Sequence, residues 1–78
     1  MASNKLDAEG RIPAPNLIKE LGLESSTSNA RRVIEQGGFN VGIGPGRETI
    51  NDVKALITVN DGLIVRVGKR KIARVRLV

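Results

Sequence analysis

Apolar residues in the N-terminal half of the chain first fall at helical spacing after a proline-rich turn. Leu17, Ile18 and Leu21 occupy positions i, i+1 and i+4, which define one face of a helix. Pro15 suits the first turn of this helix, and Gly22 is placed to end it as a left-handed cap. The pattern predicts a short first helix that must be held by packing, because isolated helices below about 12 residues are marginal in water.

A second amphipathic segment follows a cluster of hydroxyl residues at positions 25–28. These are good N-cap residues, and the Gly-Gly pair at 37–38 ends the segment. Ala30, Val33 and Ile34 recur at i, i+3 and i+4 and form one buried stripe. The polar side of this second predicted helix consists of Arg31, Arg32 and Glu35.

The remainder of the chain has the short alternations of β-structure. Short extended pieces are predicted at 39–41, 49–50, 53 and 55–57, and Asn60-Asp61-Gly62 is a strong turn signal. The clearest β-hairpin lies at 63–67 and 72–77, around a turn at Gly68-Lys69. Its inner face is apolar, with Leu63, Val65, Val67, Ala73, Val75 and Leu77. Its outer face is largely basic, with Ile64, Arg66, Arg74 and Arg76.

These elements define one domain of the α+β class. Residues 1–12 show no sustained period and are predicted to be a disordered lead-in, a linker or an expression remnant. Residues 13–78 form the predicted domain, which at this length buries only about 60% of the surface of its unfolded chain.

The composition excludes several kinds of site. The 78 residues contain no Cys, His, Trp or Tyr, and Phe39 is the one aromatic residue. Without Cys or His there is no disulfide, no thiolate nucleophile, no imidazole base and no zinc site of the usual kind. No apolar stretch approaches the roughly 18 residues of a membrane span. We therefore expect no catalytic residues, no cofactor, no metal and no membrane.

The net charge of +5 is concentrated near the C-terminus. Residues 1–62 carry seven basic and eight acidic side chains, whereas residues 63–78 carry six basic side chains and no acidic one. A basic segment inside a small domain is the electrostatic footprint expected for a polyanionic partner such as a nucleic acid. The alternative is a solvated basic face that serves only solubility.

Two motifs resemble catalytic or nucleotide-binding chemistry that the rest of the chain does not support. The glycine-rich stretch 42–47 lacks the Gly-Lys-Ser/Thr ending of a P-loop and does not open a βαβ unit. It is interpreted as a flexible strand connection, from which Arg47 reaches a phosphate at the edge. The hydroxyl cluster 25–28 has no ordinary general base to activate it, so capping is the better interpretation.

The basic side chains are the remaining constellation that can carry function. Guanidinium groups bind phosphate through two parallel hydrogen bonds, and such contacts position a nucleic acid without reading its bases. Each residue has a plain alternative as a surface charge or as an intrahelical pair, such as Arg31 with Glu35. Neighbouring cations on a strand repel unless something neutralises them, which favours Arg74 and Arg76. The predicted RNA-binding residues are Arg31, Arg32, Arg47, Arg66, Lys69, Arg70, Lys71, Arg74 and Arg76.

Residues 26–41, Ser-Thr-Ser-Asn-Ala-Arg-Arg-Val-Ile-Glu-Gln-Gly-Gly-Phe-Asn-Val, resemble the core of the S-four-like RNA-binding domain. This resemblance implies two antiparallel helices packed on a small, mostly antiparallel sheet with a C-terminal β-hairpin. The ending 61–77, with its Gly-Lys-Arg-Lys turn, is similar to the C-terminus of bacterial-type and mitochondrial tyrosyl-tRNA synthetases. Together the two segments extend the resemblance over about residues 15–78.

The resemblance implies a domain that clamps tRNA-Tyr by packing into the groove between its anticodon stem and its long variable arm. It further implies a catalytic domain elsewhere in the parent chain, a homodimeric and ATP-binding parent enzyme, and a cytoplasmic or alternatively a mitochondrial location. Neither class I synthetase signature, His-Ile-Gly-His or Lys-Met-Ser-Lys-Ser, is present, so the isolated domain is not expected to be an enzyme. An S-four-like module of an rRNA-binding or RNA-modifying protein is the alternative.

The sequence departs from the family pattern at three places. Thr27 stands where the family usually has a basic residue, which removes one expected phosphate contact. Asn29 replaces the usual acid, so the Ser-to-Glu capping box is lost. The stretch 42–46 replaces a tight Val-Asn-Gly turn and predicts a longer loop.

Overall fold

The computed structural model describes residues 3–42, 46–68 and 70–77. Both predicted helices are present, α1 over Ala14–Glu20 and α2 over Thr27–Glu35. Helix α1 ends as its sequence indicates, since Gly22 has a φ of 74° and its amide donates to the carbonyl of Lys19 at 3.0 Å. The Ser26 hydroxyl caps α2 by accepting a hydrogen bond from the Asn29 amide at 3.3 Å.

Within the described residues, six short strands form two antiparallel sheets. Strands β1 (Arg11–Pro13) and β4 (Leu56–Thr58) pair as a two-stranded ribbon, in which Ile12 lies opposite Ile57. The second sheet has the order β3-β2-β5-β6 and contains β2 (Phe39–Val41), β3 (Glu48–Ile50), β5 (Ile64–Val67) and β6 (Lys71–Arg74). Strands β5 and β6 form the predicted C-terminal hairpin, although β6 ends at Arg74 and not at the predicted residue 77. The α+β class is confirmed.

The core lies where the helices meet the inner face of the four-stranded sheet and the ribbon. Leu17 and Ile18 of α1 and Ala30 and Ile34 of α2 are fully buried, as their spacing predicts. The sheet and the strand ends contribute Phe39, Val65, Val67 and Val75, and the ribbon contributes Ile12, Ile57 and Val59. The alternation predicted for the hairpin therefore places its apolar face against the helices.

Regular structure is already present before residue 13, where the domain is predicted to start. Residues 1–12 are predicted to be a disordered lead-in, a linker or an expression remnant, but Arg11 and Ile12 belong to β1, and Ile12 is only 2% exposed. Before the strand, the Asp7 carboxylate accepts hydrogen bonds from the amides of Glu9 and Arg11 at 2.9 and 2.8 Å. A single buried isoleucine in an aperiodic stretch gives no local signal, because its partner strand lies far along the chain.

The predicted turns are largely found. Residues 60–62 form a turn, whereas Val53, predicted as extended, lies in a turn in which the Asp52 carboxylate accepts from the Lys54 amide at 2.9 Å. Most of the predicted 42–46 loop falls outside the described residues, and so does Lys69.

Candidate nucleic-acid interface

The outer face of the four-stranded sheet carries polar and basic side chains because every second residue of a strand points away from the core. Thr49, Asn40 and Arg66 lie side by side across β3, β2 and β5. The Thr49 hydroxyl donates to the Asn40 side-chain oxygen at 2.6 Å, which leaves the Asn40 amide group as a donor. Arg74 on β6 is a diagonal neighbour of Arg66, since it lies opposite Ile64.

A hollow of about 430 Å³ opens where this outer face meets the C-terminal end of α2. Arg66 of β5 and Arg47, which directly precedes β3, both line it, although they are 19 positions apart in the sequence. None of the described residues that line this hollow is acidic. The lining residues are Gln36, Gly37, Gly38, Asn40, Arg47, Arg66 and Gly68.

A second hollow of about 360 Å³ lies between α2 and the β5–β6 turn. Val33 and Val67 give it an apolar wall, and Arg70 and Lys71 stand on the turn side. The two hollows share Gln36, Gly38 and Gly68. They meet at the backbone hydrogen bond from the Gly68 amide to the Gly38 carbonyl, which is 2.7 Å long. A side chain at position 38 would crowd Val33, because an added Cβ would lie 3.3 Å from its Cγ1.

Helix α2 presents its two arginines in different directions. Successive residues of a helix are about 100° apart, and residues four apart share a face. Arg32 therefore lies on the face of Gln36, which lines both hollows. Arg31 lies on the face of Thr27, which lines a different hollow beside α1. Helix geometry thus puts Arg32, rather than Arg31, on the side of α2 that carries Gln36.

The other hairpin residues predicted to bind RNA differ in their surroundings. The Lys71 ammonium donates to the carbonyl of Leu23 at 2.9 Å and to the carboxylate of Glu24 at 3.2 Å. Arg76 lies in a third hollow with Asp61 and Arg74, at the end of the hairpin away from its turn. Lys69 lies outside the described residues.

Five of the predicted arginines lie at the outer sheet face, at the β5–β6 turn or on the Gln36 side of α2. We call this set the basic belt: Arg32, Arg47, Arg66, Arg70 and Arg74. All are exposed except Arg66, which is half-buried beside Asn40. Guanidinium groups in such a series can bind successive phosphates of a polyanion.

Two uncharged residues of this surface were missed by the sequence analysis. Asn40 and Gln36 both line the first hollow, and each brings a side-chain amide. For Asn40 a signal existed, because alternation from the buried Phe39 puts it on the outer face. For Gln36 there was none, since its role depends on where α2 ends relative to the sheet.

Comparison with known proteins gives several close matches. The tyrosine–tRNA ligase of Methylococcus capsulatus is 41% identical over 69 residues, or 88% of this chain. Those of Photobacterium profundum and Mannheimia succiniciproducens are 41% and 42% identical over 94% and 86% of this chain. The matched part is the C-terminal region of these ligases. The chain is homologous to the C-terminal region of tyrosyl-tRNA synthetases.

The homology confirms the resemblance to tyrosyl-tRNA synthetases that residues 61–77 indicate. The chain spans 16–17% of the length of these synthetases. It matches no family model.

Neither a metal-binding group of side chains nor a membrane-spanning helix is present among the described residues. In residues 3–42, 46–68 and 70–77 no group of three acidic side chains is placed to hold a metal ion. No helix in these same ranges is long and apolar enough to cross a membrane. At Asp7, hydrogen bonding from the Arg11 amide holds the pKa of the carboxyl below its usual 3.8. What the surface offers is a series of permanently charged donors.

Proposed function

We propose that this domain binds tRNA-Tyr for a tyrosyl-tRNA synthetase, by contacts from the basic belt to phosphates of the anticodon stem and variable arm region. The observation that carries the proposal is the convergence of Arg47 and Arg66 on one hollow without an acidic residue among its described lining. Homology to synthetases supports tRNA as the polyanion. The belt supplies binding energy and orientation, since phosphate contacts position a nucleic acid without reading its bases.

The glycines at the junction of the two hollows give the RNA backbone room. Gly38 and Gly68, which line both hollows, carry no side chain between Arg66 on one side and Arg70 on the other. A phosphate chain crossing this junction meets guanidinium groups on both sides, and the amides of Gln36 and Asn40 add neutral donors to sugar or base edges. Preference for tRNA-Tyr then comes from the shape of the stem and arm that the belt fits.

In this proposal the domain contributes nothing to the chemistry of tyrosine activation. ATP binding and ligation belong to a catalytic domain of the parent enzyme, which we propose to be homodimeric. By the same resemblance the parent acts in the cytoplasm, with mitochondria as the alternative.

The test is a binding titration of the chain with tRNA-Tyr at several salt concentrations. A tRNA with a short variable arm and comparable charge is the competitor. If the five arginines of the belt each neutralise a phosphate, the slope of log K against log salt is about −3.5 to −4.5. We expect a preference for tRNA-Tyr together with this slope.

Other outcomes distinguish the alternatives. Equal and steeply salt-dependent binding to both tRNAs would leave a general RNA-binding module. Weak binding without salt dependence would leave a basic surface that serves only solubility. Turnover of tyrosine and ATP by the isolated chain would contradict the assignment of all chemistry to another domain.

A further inference from the structure

Lys71 is predicted from sequence to bind RNA, yet its ammonium is engaged within the protein. It reaches from the first residue of β6 to the loop between α1 and α2, where it contacts the Leu23 carbonyl and the Glu24 carboxylate. The Glu24 side chain is only 19% exposed, whereas that of Lys71 is 53% exposed. The contact joins two segments that no strand pairing connects. We call it the Glu24–Lys71 tie.

The tie acts beside the second hollow. Glu24, Lys71 and Arg70 line this hollow together with Val33 and Gln36 of α2. On the opposite side of the turn, the hydrogen bond from Gly68 to Gly38 fixes the end of β5. The β5–β6 turn is therefore held at two points, and the tie is the one that fixes its β6 end relative to the helices.

We propose that Glu24 and Lys71 are positioning residues, which hold Arg70 at a fixed distance from Arg32 so that both face one RNA backbone. The inference rests on the proposed function and deepens it. It also reassigns Lys71, whose charge is met by Glu24 rather than by a phosphate. An ammonium has three donors, and two of those of Lys71 are already used inside the protein.

Two variants separate positioning from direct contact. Glu24→Ala removes the carboxylate and makes the chain more positive, and Lys71→Met removes the ammonium while keeping an apolar stem. Glu48→Ala and Lys54→Met make the same changes of charge at exposed sites away from the tie. Affinity for tRNA-Tyr and its salt slope are measured for these four variants and for Lys71→Arg, which restores the positive charge, and amide hydrogen exchange is measured on the free chains.

We expect Glu24→Ala to weaken RNA binding about three- to fivefold despite its added positive charge, an effect in the range of an exposed ion pair. Lys71→Met should weaken binding by at least as much with an unchanged salt slope, and Lys71→Arg should restore most of the affinity. Glu48→Ala should leave binding unchanged or slightly tighter, and Lys54→Met should leave it nearly unchanged. In the free protein, both tie variants should exchange the Gly68 amide faster than the controls.

Opposite results overturn the inference. Tighter binding and a steeper slope in Glu24→Ala would mean that Glu24 holds Lys71 away from a phosphate. A slope that becomes shallower by about 0.7 to 0.9 in Lys71→Met would mean that Lys71 contacts a phosphate directly. Unchanged exchange at Gly68 would mean that the tie does not hold the turn. If the wild-type chain binds no RNA, the proposed function fails, and the tie stands or falls on the exchange rates alone.

Discussion

The inner and outer faces of the four-stranded sheet are made by alternate residues of the same strands, yet they do different work. On the inner face Phe39, Val65 and Val67 are buried against the helices. On the outer face their chain neighbours Asn40 and Arg66 reach solvent beside the first hollow. Because side chains alternate between the two faces, inner-face residues pack in the core and outer-face residues are accessible at the surface. A substitution on one face can therefore leave the other face unchanged.

The largest expected effect comes from breaking the inner face. Phe39→Ala removes the one aromatic side chain, which is fully buried, and leaves a cavity in a small core. We expect a loss of about 3–5 kcal/mol in the free energy of unfolding, measured by urea denaturation. The neighbouring Asn40→Ala, on the outer face, should cost far less. Similar losses of unfolding free energy in the two variants would mean that the outer face stabilises the fold as much as the inner face does.

On the binding side, charge reversal on α2 should have the largest effect. Arg32→Glu reverses one charge of the basic belt, and we expect at least a tenfold weaker affinity for tRNA-Tyr. Arg31→Glu, with the same change of charge on the other side of α2, should weaken binding less. Both variants should unfold at nearly the same urea concentration as the wild type.

Comparing the tRNA-Tyr affinities of these two charge-reversal variants shows which side of α2 contacts the RNA. Equal losses would place the RNA across the solvent side of α2, between the two arginines. No loss in either variant would remove α2 from the interface.

Neutralising Arg66 on the outer face tests whether an outer-face residue contributes to RNA binding without contributing to stability. Arg66→Met keeps much of the stem packing but loses the guanidinium, and we expect about five- to tenfold weaker binding with little change in stability. The salt slope should become shallower by about 0.7 to 0.9 if one phosphate contact is lost. Lys54→Met, on the turn before β4, is the matched control. An unchanged slope in Arg66→Met would show that Arg66 does not meet a phosphate.

Much of the inner face could be predicted from the sequence, because buried residues recur at the spacing of a helix or with the alternation of a strand. The helical spacing of Leu17 and Ile18 and the alternation through Val65 and Val67 each predict the buried side correctly. Ile12 was not predictable, since its burial depends on pairing with Ile57, and no period marks a lone residue.

The candidate site was less predictable, because it depends on what long-range folding brings together. The arginines could be named from the sequence, but the sequence does not indicate which of them lie on one surface or that Arg31 and Lys71 do not belong to it. The separation of Arg31 from Arg32 follows from helix geometry only once the position of the hairpin beside α2 is known. Lys71 and Glu24 are 47 positions apart, and nothing local indicates that they pair.

A smaller effect is expected from removing the N-cap of α2, the helix that contributes residues both to the core and to the basic belt. Ser26→Ala removes the side-chain oxygen that accepts from the Asn29 amide. We expect a cost of about 1 kcal/mol in unfolding free energy and only a slight change in RNA affinity, because the arginines themselves remain. Ser28→Ala, exposed in the first turn of the same helix, is the control. A large loss of affinity with little loss of stability would instead place Ser26 in the RNA contact.

The smallest effect is expected in a region that belongs to neither face, the turn before β1. The Arg11 amide and, further, the Glu9 amide and the Arg11 side chain favour the ionised Asp7 carboxylate and lower its pKa, against a smaller opposing effect of desolvation. A lowered pKa in the folded state means that this carboxylate stabilises the fold above its usual pKa of 3.8 and loses that contribution as the pH falls through the lower, folded value. Urea midpoints of the wild type and Asp7→Asn should therefore differ at pH 7 and converge in strong acid. Affinity for tRNA-Tyr at pH 7 should be the same for both, because the turn lies apart from the basic belt; a weaker affinity in Asp7→Asn would mean that the interface extends to the N-terminal turn.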